Sequence, residues 1–469
     1  MKPNWNRRPV GTLRAYDPLS ELQFVRSEGS YLWDAEGKPY IDLVCGYSAC
    51  NLGHRHPRLL EALGRAASEL SWAYGAESPI RAELEESIGS FVERELLNSQ
   101  QARVGQGSLK VWLGVSGARG IETAWKIAQA HRPGGIACMD IAYHGRSMST
   151  AWISDSRRVG SSPGIVTRLP FPKHLQGSCS GENCAECEQA LKASEEILGS
   201  HAGAVGTLIL EPAIGARGYY FASPVFYRRL VSVARKLSML VISDEIQMGL
   251  RRMGGMVSSL SQGWEADLWV FGKSLGGGMM PLSAVVGASH LIDCLPPGFE
   301  SETFAGYPLV CPVAIEALRL LSDENLGLEV EQKGARLRRA LHAMLPRPEL
   351  LPNPELLPNP ELLPSPELLP SPELLPKPEL PPMNHPKTVV VDGVGLATSL
   401  SLEHHEGHGT ELAKAWAQEL GNQGVLVHLT GLQRSRLALI PPLTIDDALL
   451  DEVAEKISRA YELAGRKST

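Results

Sequence analysis

Between about residue 105 and residue 290, short apolar runs alternate with stretches whose apolar residues recur at helical spacing. The runs Lys110–Leu113, Gly135–Met139, Val205–Leu210, Leu240–Ser243, Leu268–Phe271 and Ser283–Gly287 read as strands, and Glu122–His131 and Pro224–Leu237 read as helices. Such alternation predicts an α/β domain, a mostly parallel sheet flanked by helices on both faces. Upstream, Gly29–Leu43 alternates apolar and polar positions around Asp34-Ala35-Glu36-Gly37, the pattern of a hairpin in a small N-terminal sheet. Downstream, Thr388–Asp392, Ala397–Leu402, Val425–His428 and Arg436–Leu439 read as strands, and Thr410–Leu420 and Asp446–Leu463 as helices. These compose a smaller α+β unit.

Between the two units, from Pro348 to Pro382, runs a degenerate hexapeptide repeat, Pro-Glu-Leu-Leu-Pro followed by Asn, Ser or Lys. Its prolines remove backbone donors and disfavour helical geometry in the preceding residues, so an extended or disordered insertion is expected, most simply a passive one. The expected organisation is a segment 1–80 that belongs partly to the small domain, a large domain 81–345, the insertion 346–386 and a C-terminal small domain 387–469.

At 469 residues and 43% hydrophobic content the chain can bury a large core, and a net charge of -7 with scattered Lys and Arg offers no field for nucleic acid or anionic lipid. With no apolar leader and no run of about 18 apolar residues, a soluble cytoplasmic protein acting on small molecules is expected. The eight cysteines are too sparse for a disulfide framework. Only Cys179, Cys184 and Cys187 cluster, near His174. That spacing suits zinc or an iron–sulfur centre, but the simpler expectation is reduced thiols in a polar loop before the helix Glu188–Leu198, with no metal.

The candidate chemistry lies at the strand ends. Lys273 follows the run Leu268–Phe271 within Gly272-Lys273-Ser274-Leu275-Gly276-Gly277-Gly278, a small-residue turn that can hold an amine in a dry pocket, favour its neutral form and let it attack a carbonyl. Asp244 closes another run and supplies a carboxylate of the kind that keeps a pyridine nitrogen protonated. Ser116, Tyr143 and Glu211 fall at three further strand exits, and ligands of open α/β sheets collect at that edge.

With these residues in place the chain resembles the class III aminotransferases, of the ornithine and 4-aminobutyrate aminotransferase type within fold type I pyridoxal phosphate enzymes. The resemblance runs through Tyr31–Asp42, Asn51-Leu52-Gly53-His54-Arg55-His56-Pro57, Ser116–Lys126, Tyr143-His144-Gly145-Arg146, Glu211-Pro212, Asp244–Gly254, Gly272–Gly278, Thr303–Pro308 and Pro441-Pro442-Leu443-Thr444. It implies a mostly parallel seven-stranded-type sheet and pyridoxal 5'-phosphate as cofactor. Lys273 would form the Schiff base and shuttle protons, and Asp244 would hold the ring nitrogen. Ser116, Gly117 and Ala118 would cradle the phosphate at a helix N-terminus. Tyr143 and Ile246 would sandwich the ring, His144 would line the cofactor site, and Gln247 would reach the ring hydroxyl. Thr303 would contact the phosphate of the neighbouring subunit, implying a homodimer with shared active sites. Tyr47, Trp72 and Tyr74 would line the access funnel, although each is equally consistent with interface packing.

Several positions depart from the family pattern. Arg119-Gly120 replaces the usual Glu-Ala, Arg251 stands before Arg252 where the family has glycine, and Ala438 occupies the place of the arginine that binds a substrate α-carboxylate. Arg436, two residues earlier on the same strand face, is the candidate replacement, and Glu211 resembles the glutamate that pairs with the missing arginine. The expected activity is transfer of an amino group from a primary amine or ω-amino compound to a 2-oxo acid by a ping-pong route. A racemase, epimerase or aminomutase on the same fold is the main alternative. A non-catalytic partner protein with a proline-rich arm is a more distant one, since such a protein has no reason to retain Lys273 with Asp244.

Overall fold

A computed structural model describes residues 22–69, 78–99, 108–154, 164–174, 179, 181, 184–296, 298–346, 388–402 and 409–467. Among the described residues fifteen strands fall in three sheets. In chain order they are β1 Phe24–Glu28, β2 Tyr31–Asp34, β3 Pro39–Asp42, β4 Leu109–Gly114, β5 Gly135–Met139, β6 Val166–Leu169, β7 Val205–Leu210 and β8 Leu240–Asp244. There follow β9 Leu268–Phe271, β10 Ser283–Ala288, β11 Val390–Val394, β12 Ala397–Ser401, β13 Val425–Leu426, β14 His428–Thr430 and β15 Arg436–Leu439.

The central sheet has seven strands in the order β4-β10-β9-β8-β7-β5-β6. Its middle strands are parallel, and β10 alone runs antiparallel to both neighbours, β4 and β9. Strands β5, β7, β9 and β10 are buried along their whole length, which is why their sequences are largely apolar, with Thr207 and Ser283 the polar exceptions. Strand β6 gave no such signal. It is a four-residue edge strand, Val-Thr-Arg-Leu, with alternating burial.

The two smaller sheets are β1-β2-β3-β13 and β11-β12-β15-β14. The expected strand Val425–His428 is in fact two. Leu426 pairs with Asp42 of β3, whereas His428 pairs with Ala438 of β15, so the chain changes sheets at the buried Val427. Residues from the two ends of the sequence thereby share one sheet. Among the described residues no helix is long and apolar enough to cross a membrane. The proline repeat lies outside the described residues, but Val389 N donates to Pro346 O at 2.8 Å, so the chain leaves and returns at one point.

Candidate active site

Asp244 ends β8 and is buried. Its Oδ1 accepts from Ile246 N at 3.1 Å, and its Oδ2 lies 2.8 Å from Nδ1 of the buried His144. His144 is fixed in turn by its backbone N, which donates to Ser154 Oγ at 2.8 Å. Glu211, beyond the end of β7, accepts from Tyr143 N at 2.9 Å and from Gly215 N at 3.1 Å. Burial, chiefly, raises its pKa to about 7. Glu211 therefore serves as a bracket for the loop that carries Tyr143 and His144.

Lys273 leaves β9, the neighbour of β8, so its amine and the Asp244 carboxylate share one sheet edge. The residue has φ +45°, a left-handed conformation that costs a non-glycine residue about 1–3 kcal/mol. Gly277 and Gly278 continue the turn with φ +64° and +74°. A Cβ on Gly278 would lie 2.9 Å from Cys50 Sγ, so only glycine lets the turn pack there. Lys273 is half-buried, and burial lowers its pKa to about 8 against the opposing pull of Asp244 and Glu211. Near neutrality a useful fraction of the amine is uncharged.

Across β10 from β9, strand β4 feeds the helix Gly117–His131. Ser116 is its N-cap, accepting from Arg119 N at 3.3 Å, and no acidic residue occupies the first turn. The first amides of an α-helix have no partners within it, so this end presents unpaired N–H donors and a partial positive charge. Gly117 sits so close to Ile246 that a Cβ there would lie 2.8 Å from its Cδ1. The helix end, Ile246, Lys273 and Asp244 thus face one space. Its donors and charges fit pyridoxal 5'-phosphate: an anion cradle at one end, a carboxylate at the other, and a reactive amine between.

Arg119 does not point into this cradle. Its guanidinium pairs with Glu302 at 2.7 Å and Glu300 at 2.6 Å, while Glu302 also accepts from Val115 N at 3.0 Å. Glu300 is further held by Lys126 and Thr123. The acidic segment before Thr303 is thereby clamped to the phosphate-side helix. Sequence reasoning noted Arg119 as a departure but missed its partners, whose signal was the Glu300-Ser301-Glu302 pair. Gly120 also has a packing reason, since a Cβ there would lie 2.8 Å from Val270 Cγ1 on β9.

The remaining expected residues are placed as follows. Gln247 is buried and donates to the Tyr219 hydroxyl at 2.6 Å, a partner that gave no sequence signal. Thr303 is exposed. Tyr47 is exposed, with its ring edge-on to His428 at 4.9 Å, in a turn where Cys45, Gly46, Tyr47 and Ser48 all have positive φ. Trp72 and Tyr74 lie outside the described residues. Arg436 differs most from expectation. Its guanidinium is buried, donates to Gly218 O and Tyr219 O at 3.1 and 3.2 Å, and lies 3.9 Å from the Tyr220 ring centroid. Backbone carbonyls thus hold one end of the guanidinium, Nη1, and Glu211 is bonded to backbone amides. Ala438 is packed in an apolar cluster with Ala213, Tyr219, Phe221 and Met248.

Residues 13–352 match the model of the family described as aminotransferase class-III. The chain is 28% identical to the 4-aminobutyrate aminotransferase GabT of Escherichia coli (strain K12), over 98% of this chain and 97% of that protein. It is 30% identical to the 5-aminovalerate aminotransferase DavT of Pseudomonas aeruginosa, over 97% of each. The crystal structure of the acetylornithine aminotransferase from Elizabethkingia anophelis superposes with a TM-score of 0.71 at 25% identity, over 97% of this chain and 96% of that one.

Proposed function

This chain belongs to the class III aminotransferases, pyridoxal phosphate-dependent enzymes, and on that premise we propose that it moves an amino group from a primary amine or ω-amino compound to a 2-oxo acid, pyruvate or 2-oxoglutarate, by a ping-pong mechanism. When bound, the cofactor supplies the electron sink. Lys273 holds it covalently and then moves the proton at the reacting substrate carbon. Asp244, oriented by His144, stabilises positive charge on the ring nitrogen. Ser116, Gly117 and Ala118 bind the phosphate, Tyr143 and Ile246 fix the ring faces, and Gln247, set by Tyr219, meets the ring oxygen. Thr303 completes the site across a homodimer, Tyr47 lines the approach, and the enzyme is cytoplasmic.

The observation that carries this reading is the placement of Lys273 and Asp244 at the ends of adjacent strands, with the amine's pKa near 8. The donor class is supported by the relatives named for 4-aminobutyrate and 5-aminovalerate, and by apolar packing around Ala438.

A panel of ω-amino acids, diamines and simple amines assayed with pyruvate and 2-oxoglutarate tests the proposal. Stoichiometric formation of the new amino acid is expected, with donor alone converting the cofactor to its aminated form. Inversion of a chiral amine without that conversion would point instead to a racemase or epimerase. Arg436→Ala in the same assay separates two roles. A raised KM for the 2-oxo acid with kcat retained fits carboxylate binding after release of the carbonyls. A lower melting temperature with KM unchanged restricts Arg436 to bracing.

A further inference from the structure

Far along the central sheet, beyond the edge strand β6, the loop into the helix Ala185–Ser200 gathers four side chains that the transaminase reading does not use. His174, Cys179, Cys184 and Cys187 each present one donor atom, and all four donors lie within 4.8 Å of one another. The thiols are free, as expected, but they do not sit in a polar loop. The helix begins three residues earlier than its sequence pattern indicates, which makes Cys184 its N-cap and puts Cys187 in the first turn. His174, Cys184 and Cys187 are buried.

We propose that His174, Cys179, Cys184 and Cys187 form a structural zinc site of the Cys3His type. A tetrahedral zinc ion with Zn–S of about 2.3 Å and Zn–N of about 2.0 Å sets its ligand atoms about 3.8 Å apart for two sulfurs and about 3.5 Å apart for sulfur and nitrogen. The measured separations are 3.7 Å for Cys179 Sγ to Cys187 Sγ and 3.6 Å for Cys187 Sγ to His174 Nε2. Cys184 Sγ to His174 Nε2, at 3.0 Å, must open by about half an ångström to reach that geometry, and no pair is more than 4.8 Å apart.

The surroundings are those of thiolate ligands. Cys184 Sγ, at the helix N-cap, accepts from Cys187 N at 3.4 Å. The partial positive charge of the helix N-terminus favours the same anions. Three thiolates and one imidazole select a soft, tetrahedral divalent ion, and a donor set this compact suits one ion rather than a multi-iron cluster. On binding, Zn2+ replaces the thiol protons, which leave to solvent. The ion would tie the β6 exit to the start of the helix Ala185–Ser200.

The full-length holoenzyme, purified without a polyhistidine tag from zinc-supplemented cells, is the material for the test. Metal analysis is expected to find about one zinc per chain, released by a mercurial that titrates thiols. Cys187→Ser should lower that content at least tenfold, and His174→Cys, which supplies a fourth sulfur, should restore binding that His174→Ala loses. If the serine variant does not fold, Co2+ exchanged into the wild type gives an independent readout, the intense visible bands of tetrahedral cobalt thiolate. Wild-type protein that carries no zinc above the level of Cys187→Ser and gives no cobalt–thiolate bands overturns the proposal. So does a Cys179–Cys187 disulfide in the protein as purified from zinc-supplemented cells, located by peptide mapping without reduction.

Discussion

Asp244 draws its position from the end of β8 and from the His144 ring, a contact between residues 100 apart in the sequence. Removing its charge while keeping its shape isolates the electronic role. Asp244→Asn is expected to bind the cofactor yet lose about a hundredfold in kcat, the equivalent of about 2.7 kcal/mol, if the carboxylate shifts the ring nitrogen by about two pKa units. Single-turnover absorbance measurements check this. Lys273 carries a prediction in pH. Its amine is depressed to about 8, so the neutral, attacking form grows as pH rises through that value. Cofactor loading of apoprotein, followed by stopped flow, should therefore accelerate between pH 7 and pH 9 and level off above. At this scale Lys273 and Asp244 were legible, because chemistry restricts what can stand after an apolar run. The bracket made by Glu211 and the Gln247–Tyr219 bond were not, since each depends on which strands become neighbours.

Among the elements, the helix Gly117–His131 and the acidic segment around Glu300–Glu302 act as a unit. Arg119 is the common partner of both carboxylates, and without it two partly buried negative charges would face the phosphate end of the site. Arg119→Ala is expected to weaken cofactor affinity about tenfold, measured by absorbance titration, with Arg119→Lys recovering part of the loss. The sequence made the helix visible and its partner invisible, because ion pairs between distant segments leave no periodic trace. Strands told the same story. The fully buried β5, β7 and β9 were read to the residue, whereas β6 was too short and polar, and the run Val425–His428 hid a change of sheet.

At the scale of the whole molecule, three parts of the chain converge on the buried Arg252. It donates to Asn51 Oδ1 at 2.6 Å, Leu396 O at 3.1 Å and Pro441 O at 2.8 Å, joining the N-terminal segment, the central domain and the C-terminal sheet. Its neighbour Arg251 adopts φ +72°, which explains why glycine is the common residue there. The proline repeat lies outside the described residues. Because Pro346 O and Val389 N are hydrogen-bonded, replacing residues 348–386 by a short glycine-containing turn should preserve kcat and change the melting temperature by only a few degrees. Loss of activity in that deletion, with folding intact, would give the repeat a role in the site.

The claim on which the functional account stands is that Lys273 carries the cofactor. Reducing the holoenzyme with borohydride and mapping its peptides tests this most directly. The account predicts a cofactor adduct on the Lys273 side chain and none in Lys273→Ala. Protein that takes up no coenzyme, or an adduct placed reproducibly on a different lysine, would contradict it.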